Sequence, residues 1–148
     1  MTTAKCEGVS AMGSSQTILI IDDELGARSA LQAILEGQYA VKLFSRGNEG
    51  IDYVRGNLDA AHAAFVDFTM PEMDGATVCR LFASVDPTLS LIGITGNLAA
   101  DFQVSLFATL EKRGTPVERV RETAAQAVAA TCKNRQLRDQ APTVHKSS

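Results

Sequence analysis

Five residues spread over this 148-residue chain could do chemistry together: Asp22, Asp23, Asp67, Thr95 and Lys112. Each follows a short run of aliphatic or small residues. Thr17-Ile18-Leu19-Ile20-Ile21 runs into the acidic pair, Ala63-Ala64-Phe65-Val66 into Asp67, Leu91-Ile92-Gly93-Ile94 into Thr95, and Ala108-Thr109-Leu110-Glu111 into Lys112. Three carboxylates held close repel one another, so one takes up a proton or a cation sits among them. A hard divalent cation with oxygen ligands suits such a set, and Mg²⁺ combines one or two carboxylates with phosphate oxygens. A hydroxyl and a lysine across the site would hold the remaining oxygens of a phosphoryl group, whose transfer needs alignment and charge neutralisation. A carboxylate can itself be the nucleophile and become an aspartyl phosphate. The five residues together read as a self-phosphorylating aspartate site.

These residues meet only if the runs that carry them are neighbouring strands. The runs are near-continuously apolar, the pattern of strands buried on both faces of a parallel sheet. Between them lie helical stripes. Ala27, Ala30, Leu31, Ile34 and Leu35 recur at three and four spacing up to Gly37, a helix stop. Ile51 and Val54 mark a short second helix after the strand Tyr39–Phe44. Val78, Leu81, Phe82 and Val85 mark a third, opened at Asp74-Gly75 and broken by Asp86-Pro87. Residues 98–107 are expected to hold a shortened or irregular fourth helix. Thr115-Pro116-Val117-Glu118 starts the last one, with Thr115 as cap and Glu118 completing a capping box. Strand–helix alternation of this kind predicts an α/β fold, a doubly wound five-stranded parallel sheet with helices on both faces. The carboxyl ends of all its strands share one edge, where such sheets place ligands. Residues 1–16 are expected to form a flexible leader, 17–130 one domain, and 131–148 a flexible tail.

Composition narrows the function classes. The chain is 45% hydrophobic and 21% charged with a net charge of −3, which excludes both a disordered polymer and a basic nucleic-acid-binding surface. No apolar run is long enough to cross a membrane as a helix. Cys6, Cys79 and Cys132 are odd in number and widely spaced, so a zinc site or a disulfide framework is not expected and a cytoplasmic location is. His62 and His145 lie far from each other, the first as a loop residue before a strand.

Three segments carry a family resemblance: Ile18–Glu24 (ILIIDDE), Val66–Gly75 (VDFTMPEMDG) and Ile94–Gly96 (ITG). Together they resemble the receiver domain of two-component response regulators, over residues 17–130. The resemblance implies a flavodoxin-like strand order 2-1-3-4-5. It implies that Asp67 is the phosphoacceptor, that Asp23 ligates Mg²⁺ directly, that Asp22 holds a metal-bound water, and that the backbone carbonyl of Thr69 is a further ligand. By the same resemblance Thr95 supplies the hydroxyl and Lys112 the lysine that engage the phosphoryl group. The implied donor is a histidine kinase or a histidine phosphotransfer protein, and the implied output is a protein–protein contact by a single-domain regulator.

The chain departs from the family pattern in three places. The stretch between Thr95 and Lys112 is short. Arg113 stands where the family has a proline, so the Lys112–Arg113 bond is expected to be trans, cis costing about 2.5–4 kcal/mol without proline. Thr109 occupies the position of the family's aromatic switch residue. Output is therefore expected to use another surface, or an order–disorder change in residues 96–112. Plainer readings stand beside these. Asp22-Asp23 alone would be a helix cap, Asp74 a turn residue or cap, and Lys112 part of a solvated charged run. Two other functions are open: a receiver-fold binding module that no longer switches, and a phosphatase. The phosphatase lacks the second acid expected shortly after its nucleophile, since Thr69 stands there.

Overall fold

A computed structural model describes residues 16–70, 74–96 and 103–140. Five strands, β1 (Thr17–Ile21), β2 (Ala40–Phe44), β3 (Ala63–Asp67), β4 (Leu91–Thr95) and β5 (Ala108–Glu111), form one parallel sheet in the order β2-β1-β3-β4-β5. The described residues form four helices: α1 (Leu25–Leu35), α2 (Gly47–Gly56), α3 (Gly75–Val85) and α4 (Val117–Gln140). The expected fold class and strand order hold.

Side chains alternate between the two faces of a strand, and the core divides accordingly. Leu19, Ile21, Ala64 and Val66 face α2 and α3, where Phe82, Val78 and Cys79 meet them. Ile18, Ile20, Ala63, Phe65, Ile92 and Ile94 face the other way, against Leu35 of α1 and Val120, Ala124, Ala127 and Val128 of α4. The three central strands are almost wholly buried while β2 and β5, at the edges, are half exposed. Burying a side chain the size of Phe65 or Phe82 contributes about 1.5–3 kcal/mol, so these two layers hold the strand ends in register.

Residues 103–107 contain no helix, and the expected helix at 98–107 otherwise falls partly on residues 97–102, outside the described ones. Residues 1–15 of the expected leader at 1–16, Pro71 to Met73 of the Val66–Gly75 segment, and residues 141–148 of the expected tail also lie outside them.

Two corrections concern the last helix. Its polar second half is not a tail from residue 131: α4 runs unbroken to Gln140. Arg135 explains this. It is buried beneath the amino ends of the strands, donating to Thr88 Oγ1 (2.9 Å), the Asp59 and Ala61 carbonyls (3.1 and 2.6 Å) and Asp86 Oδ2 (2.9 Å). Arg138 follows with a forked pair to both Asp59 oxygens at 3.1 and 3.0 Å. A planar guanidinium satisfied on every side can be buried where an isolated charge cannot. Secondly, Thr115 does not cap α4. The first turn closes on the Pro116 carbonyl, and the Thr115 hydroxyl donates back to the Glu111 carbonyl at 2.8 Å. Cys79 is a free buried thiol, whereas Cys132 is disulfide-bonded, against the expectation for the cysteines; its pairing lies outside the described residues.

Candidate functional site

The acidic site forms where β1 and β3 end side by side, with Ile21 opposite Val66. Asp22 and Asp67 are buried and Asp23 is exposed, and each offers a carboxylate oxygen within 4.8 Å of the others. Neither Asp22 nor Asp23 caps α1, whose cap position is Glu24. Asp22 instead accepts the Glu24 amide on Oδ1 at 2.9 Å, and its own carbonyl accepts Arg28 Nη1 at 2.7 Å. Asp74 does cap α3, accepting the Thr77 amide at 2.9 Å. The next residue must be glycine. A Cβ on Gly75 would sit 2.7 Å from the Phe68 backbone, so α3 starts hard against the residue after Asp67.

Asp67 has both oxygens engaged. Oδ1 accepts the Thr69 amide at 3.0 Å and the Thr69 hydroxyl at 2.8 Å; Oδ2 accepts Lys112 Nζ at 3.0 Å. Lys112 is thus brought to the site from β5, across β4, although proline does not follow it. Its amide donates to the Thr95 carbonyl at 2.7 Å, and no cis peptide occurs among the described residues, so the Lys112–Arg113 bond is trans as expected. Thr95 is buried at the end of β4. Gly96, not Thr95, lines the open cleft of about 510 Å³ above the acids, together with Asp23, Glu24, Thr69, Glu111, Lys112 and Arg113. Thr109, the expected aromatic position, is half-buried opposite Gly93.

Burial and neighbouring charge push the titrations apart. Burial raises the Asp22 carboxyl to about 6; the Asp67 charge adds to this while the Glu24 amide and Lys112 oppose it. Burial acts the same way on Asp67, but the Thr69 hydroxyl and amide and the Lys112 ammonium outweigh it and hold that carboxyl below its usual range. Asp67 is therefore ionised at neutral pH, as a nucleophile must be. Burial alone would lower Lys112; its bond to Asp67 and the charges of Asp22, Asp67 and Glu24 raise it instead.

The donor set fits a hard divalent cation. Asp22 Oδ2 is buried with no hydrogen-bond partner, 3.6 Å from Lys112 Nζ, beside two further carboxylates. A buried oxygen without a hydrogen bond costs about 1–3 kcal/mol, and the Lys112 ion pair at 3.6 Å leaves that bond unmade; a cation held by oxygen ligands would supply the missing contact.

Three residues on the site escape a reading of strand ends. Glu24 lies 3.5 Å from Lys112, Arg28 ties down the Asp22 loop, and Arg113 stands on the cleft wall. The one sequence signal is the spacing of Glu24 and Arg28, a helical turn apart. His62 is not part of the site. It lies before β3 at the other end of the sheet, where its Nδ1 accepts the Thr17 amide at 3.2 Å.

Comparison with known proteins agrees with this geometry. The model of the response regulator receiver domain family matches residues 18–109, stopping just short of Lys112. The response regulator Rre1 of Synechocystis is 31% identical over 116 residues, covering 72% of this chain and 49% of that protein. The response regulator MprA of Mycolicibacterium vanbaalenii is 33% identical over 79 residues, covering 53% of this chain. The chain spans about a third of the length of MprA and about half that of Rre1. A receiver domain structure from Clostridium thermocellum superposes with a TM-score of 0.69 at 23% identity, covering 82% of this chain and 98% of that one. A CheY-like receiver from Methanospirillum hungatei superposes at 0.66, covering 77% and 97%. These two share the fold, and the family match spans most of the sheet and its three carboxylates: the chain belongs to the response regulator receiver domain family.

Proposed function

We propose that this receiver takes a phosphoryl group on Asp67 in a Mg²⁺-dependent step, from a histidine kinase or a histidine phosphotransfer protein, and passes the signal on by a protein–protein contact. The observation that carries this is the convergence of three carboxylates from β1 and β3 with Lys112 from β5, whose Nζ lies 3.0 Å from Asp67. In the transfer, an Asp67 oxygen attacks phosphorus as the bond to the donor nitrogen breaks, and the imidazole leaves. Asp22, Asp23, Asp67 and the Thr69 carbonyl are the residues to hold Mg²⁺, which supplies charge neutralisation at the phosphoryl oxygens when bound. Lys112 then moves from the carboxylate to a phosphoryl oxygen, and the Thr95 hydroxyl takes another. The Thr69 hydroxyl holds Asp67 in place, fixing the direction of attack. The domain is no enzyme with an external substrate; it catalyses its own phosphorylation and dephosphorylation. A cytoplasmic location is the usual one for receivers of this family, although the Cys132 disulfide removes the cysteine argument for it.

The alternative, a binding module that no longer switches, follows from the altered region around Lys112; the Lys112 ammonium 3.0 Å from Asp67 supports the phospho-accepting reading instead. Acetyl phosphate with Mg²⁺ tests this by intact mass. A gain of one phosphoryl group that Asp67→Asn abolishes and EDTA prevents is expected. No gain in the wild-type protein would reject phosphorylation and leave the binding module.

A further inference from the structure

We infer that Arg113 is a donor-binding residue, the cation on the cleft wall that receives the phosphoryl end of a small dianionic donor such as an acyl phosphate. This rests on the reading of Asp67 as phosphoacceptor. Carboxylates dominate the cleft: Asp23, Glu24 and Glu111 on the wall, Asp22 and Asp67 beneath it. A dianion approaching Asp67 meets net repulsion from such a set, and a cation bound among the carboxylates offsets only part of it. Until the transfer takes place, Lys112 is held by the acids. It lies within 3.6 Å of Asp22, 3.5 Å of Glu24 and 3.0 Å of Asp67. Arg113 is exposed on the same wall and, among the described residues, makes no ion pair.

The backbone holds Arg113 there. On one side the Lys112 amide is bonded to the Thr95 carbonyl at 2.7 Å. On the other, the Thr115 hydroxyl closes onto the Glu111 carbonyl at 2.8 Å, and Gly114 turns the chain with a φ of +91°. That φ suits glycine and few other residues. The loop is tied at both ends, so the guanidinium is presented to the cleft on a fixed backbone. A guanidinium is a planar fork matched to phosphate oxygens and is always charged. As the Asp67 oxygen attacks, the new oxygen–phosphorus bond forms while the phosphorus–acyl oxygen bond breaks, and the acyl group leaves as a carboxylate. Arg113 pairs with the donor before and during this exchange, and no proton has to move.

The test compares two donors of different charge. Acetyl phosphate is a dianion at neutral pH, whereas phosphoramidate is a zwitterion with one net negative charge. Arg113→Gln is expected to lower the second-order rate of Asp67 phosphorylation by acetyl phosphate about fivefold, and by phosphoramidate less than about twofold. Arg113→Lys is expected to restore much of the acetyl phosphate rate. The gap between wild type and Arg113→Gln should close as KCl is raised, because exposed charges are screened. Equal losses with both donors, or no loss while wild type is phosphorylated, would overturn the role of Arg113 alone. Failure of wild type with both donors would remove the phosphoacceptor reading and this inference with it.

Discussion

Replacing Asp22 with asparagine should stabilise the metal-free protein at neutral pH. Asp22 is buried, its Oδ2 has no hydrogen-bond partner, and its carboxyl is pushed from the ordinary 3.8 up to about 6, first by burial and then by the charge of Asp67. An acid whose value is raised holds its proton in the folded chain where the unfolded chain has released it. Stability therefore falls as pH rises from about 4 to about 6, and the full cost is present at pH 7. The span from 3.8 to about 6, at about 1.4 kcal/mol per pH unit, comes to about 3 kcal/mol as an upper limit. The cleft beside it is open to water, and screening reduces this to about 1–2 kcal/mol. Asparagine keeps the shape and the bond from the Glu24 amide while removing the charge. Urea unfolding in EDTA should show Asp22→Asn more stable than wild type at pH 7 and equal to it near pH 4. The difference between the two proteins is the quantity to read, because His62 titrates over an overlapping window with the opposite sign. Burial lowers it from 6.5 to about 4, so its contribution is lost as pH falls. Adding Mg²⁺ should narrow the gap at pH 7, since only wild type then gains binding energy in its native state. A variant less stable at pH 7, or equally stabilised at both pH values, would refute the claim that this carboxylate is strained.

Gly75→Ala should destabilise the fold by about 1–3 kcal/mol despite alanine's better helix propensity, because the new Cβ would lie 2.6 Å from the Phe68 ring and 2.7 Å from its backbone; urea unfolding measures it, and an unchanged midpoint would contradict the close approach. Arg135→Met should cost about 3–5 kcal/mol, since the buried Asp86 carboxyl loses its guanidinium partner. Adding Asp86→Asn should recover part of that loss, and circular dichroism should show helix lost from the end of α4 in both variants, since both lack the Arg135 contacts.

Much of the site was legible because a parallel sheet makes strand ends equivalent. Apolar runs ending in Asp22-Asp23 and Asp67 need no long-range information to be read as neighbours at one edge. Lys112 was less legible: nothing local to Glu111-Lys112-Arg113 distinguishes a solvated run from a residue tied to Thr95 and aimed at Asp67. Arg113 was invisible for the same reason, and Glu24 was marked only by its spacing to Arg28, their places depending on the loops after β5 and β1.

The sequence by itself determined the sheet, its two packed faces and the meeting of the acidic pair with Asp67, because these follow from short-range pattern and side-chain chemistry. Only the tertiary structure decided where α4 ends. The residues from Thr131 on look polar enough to be a solvated tail, yet Arg135 is buried against the carbonyls of Asp59 and Ala61, the carboxylate of Asp86 and the hydroxyl of Thr88, far away in sequence. It also decided the proton affinities. Asp22 and Asp67 are the same residue type at equivalent strand ends, and one is raised while the other is lowered. The cause is that Thr69 and Lys112 donate to Asp67 and leave one oxygen of Asp22 unmatched, and hydrogen-bond partners are assigned by packing, not by residue type.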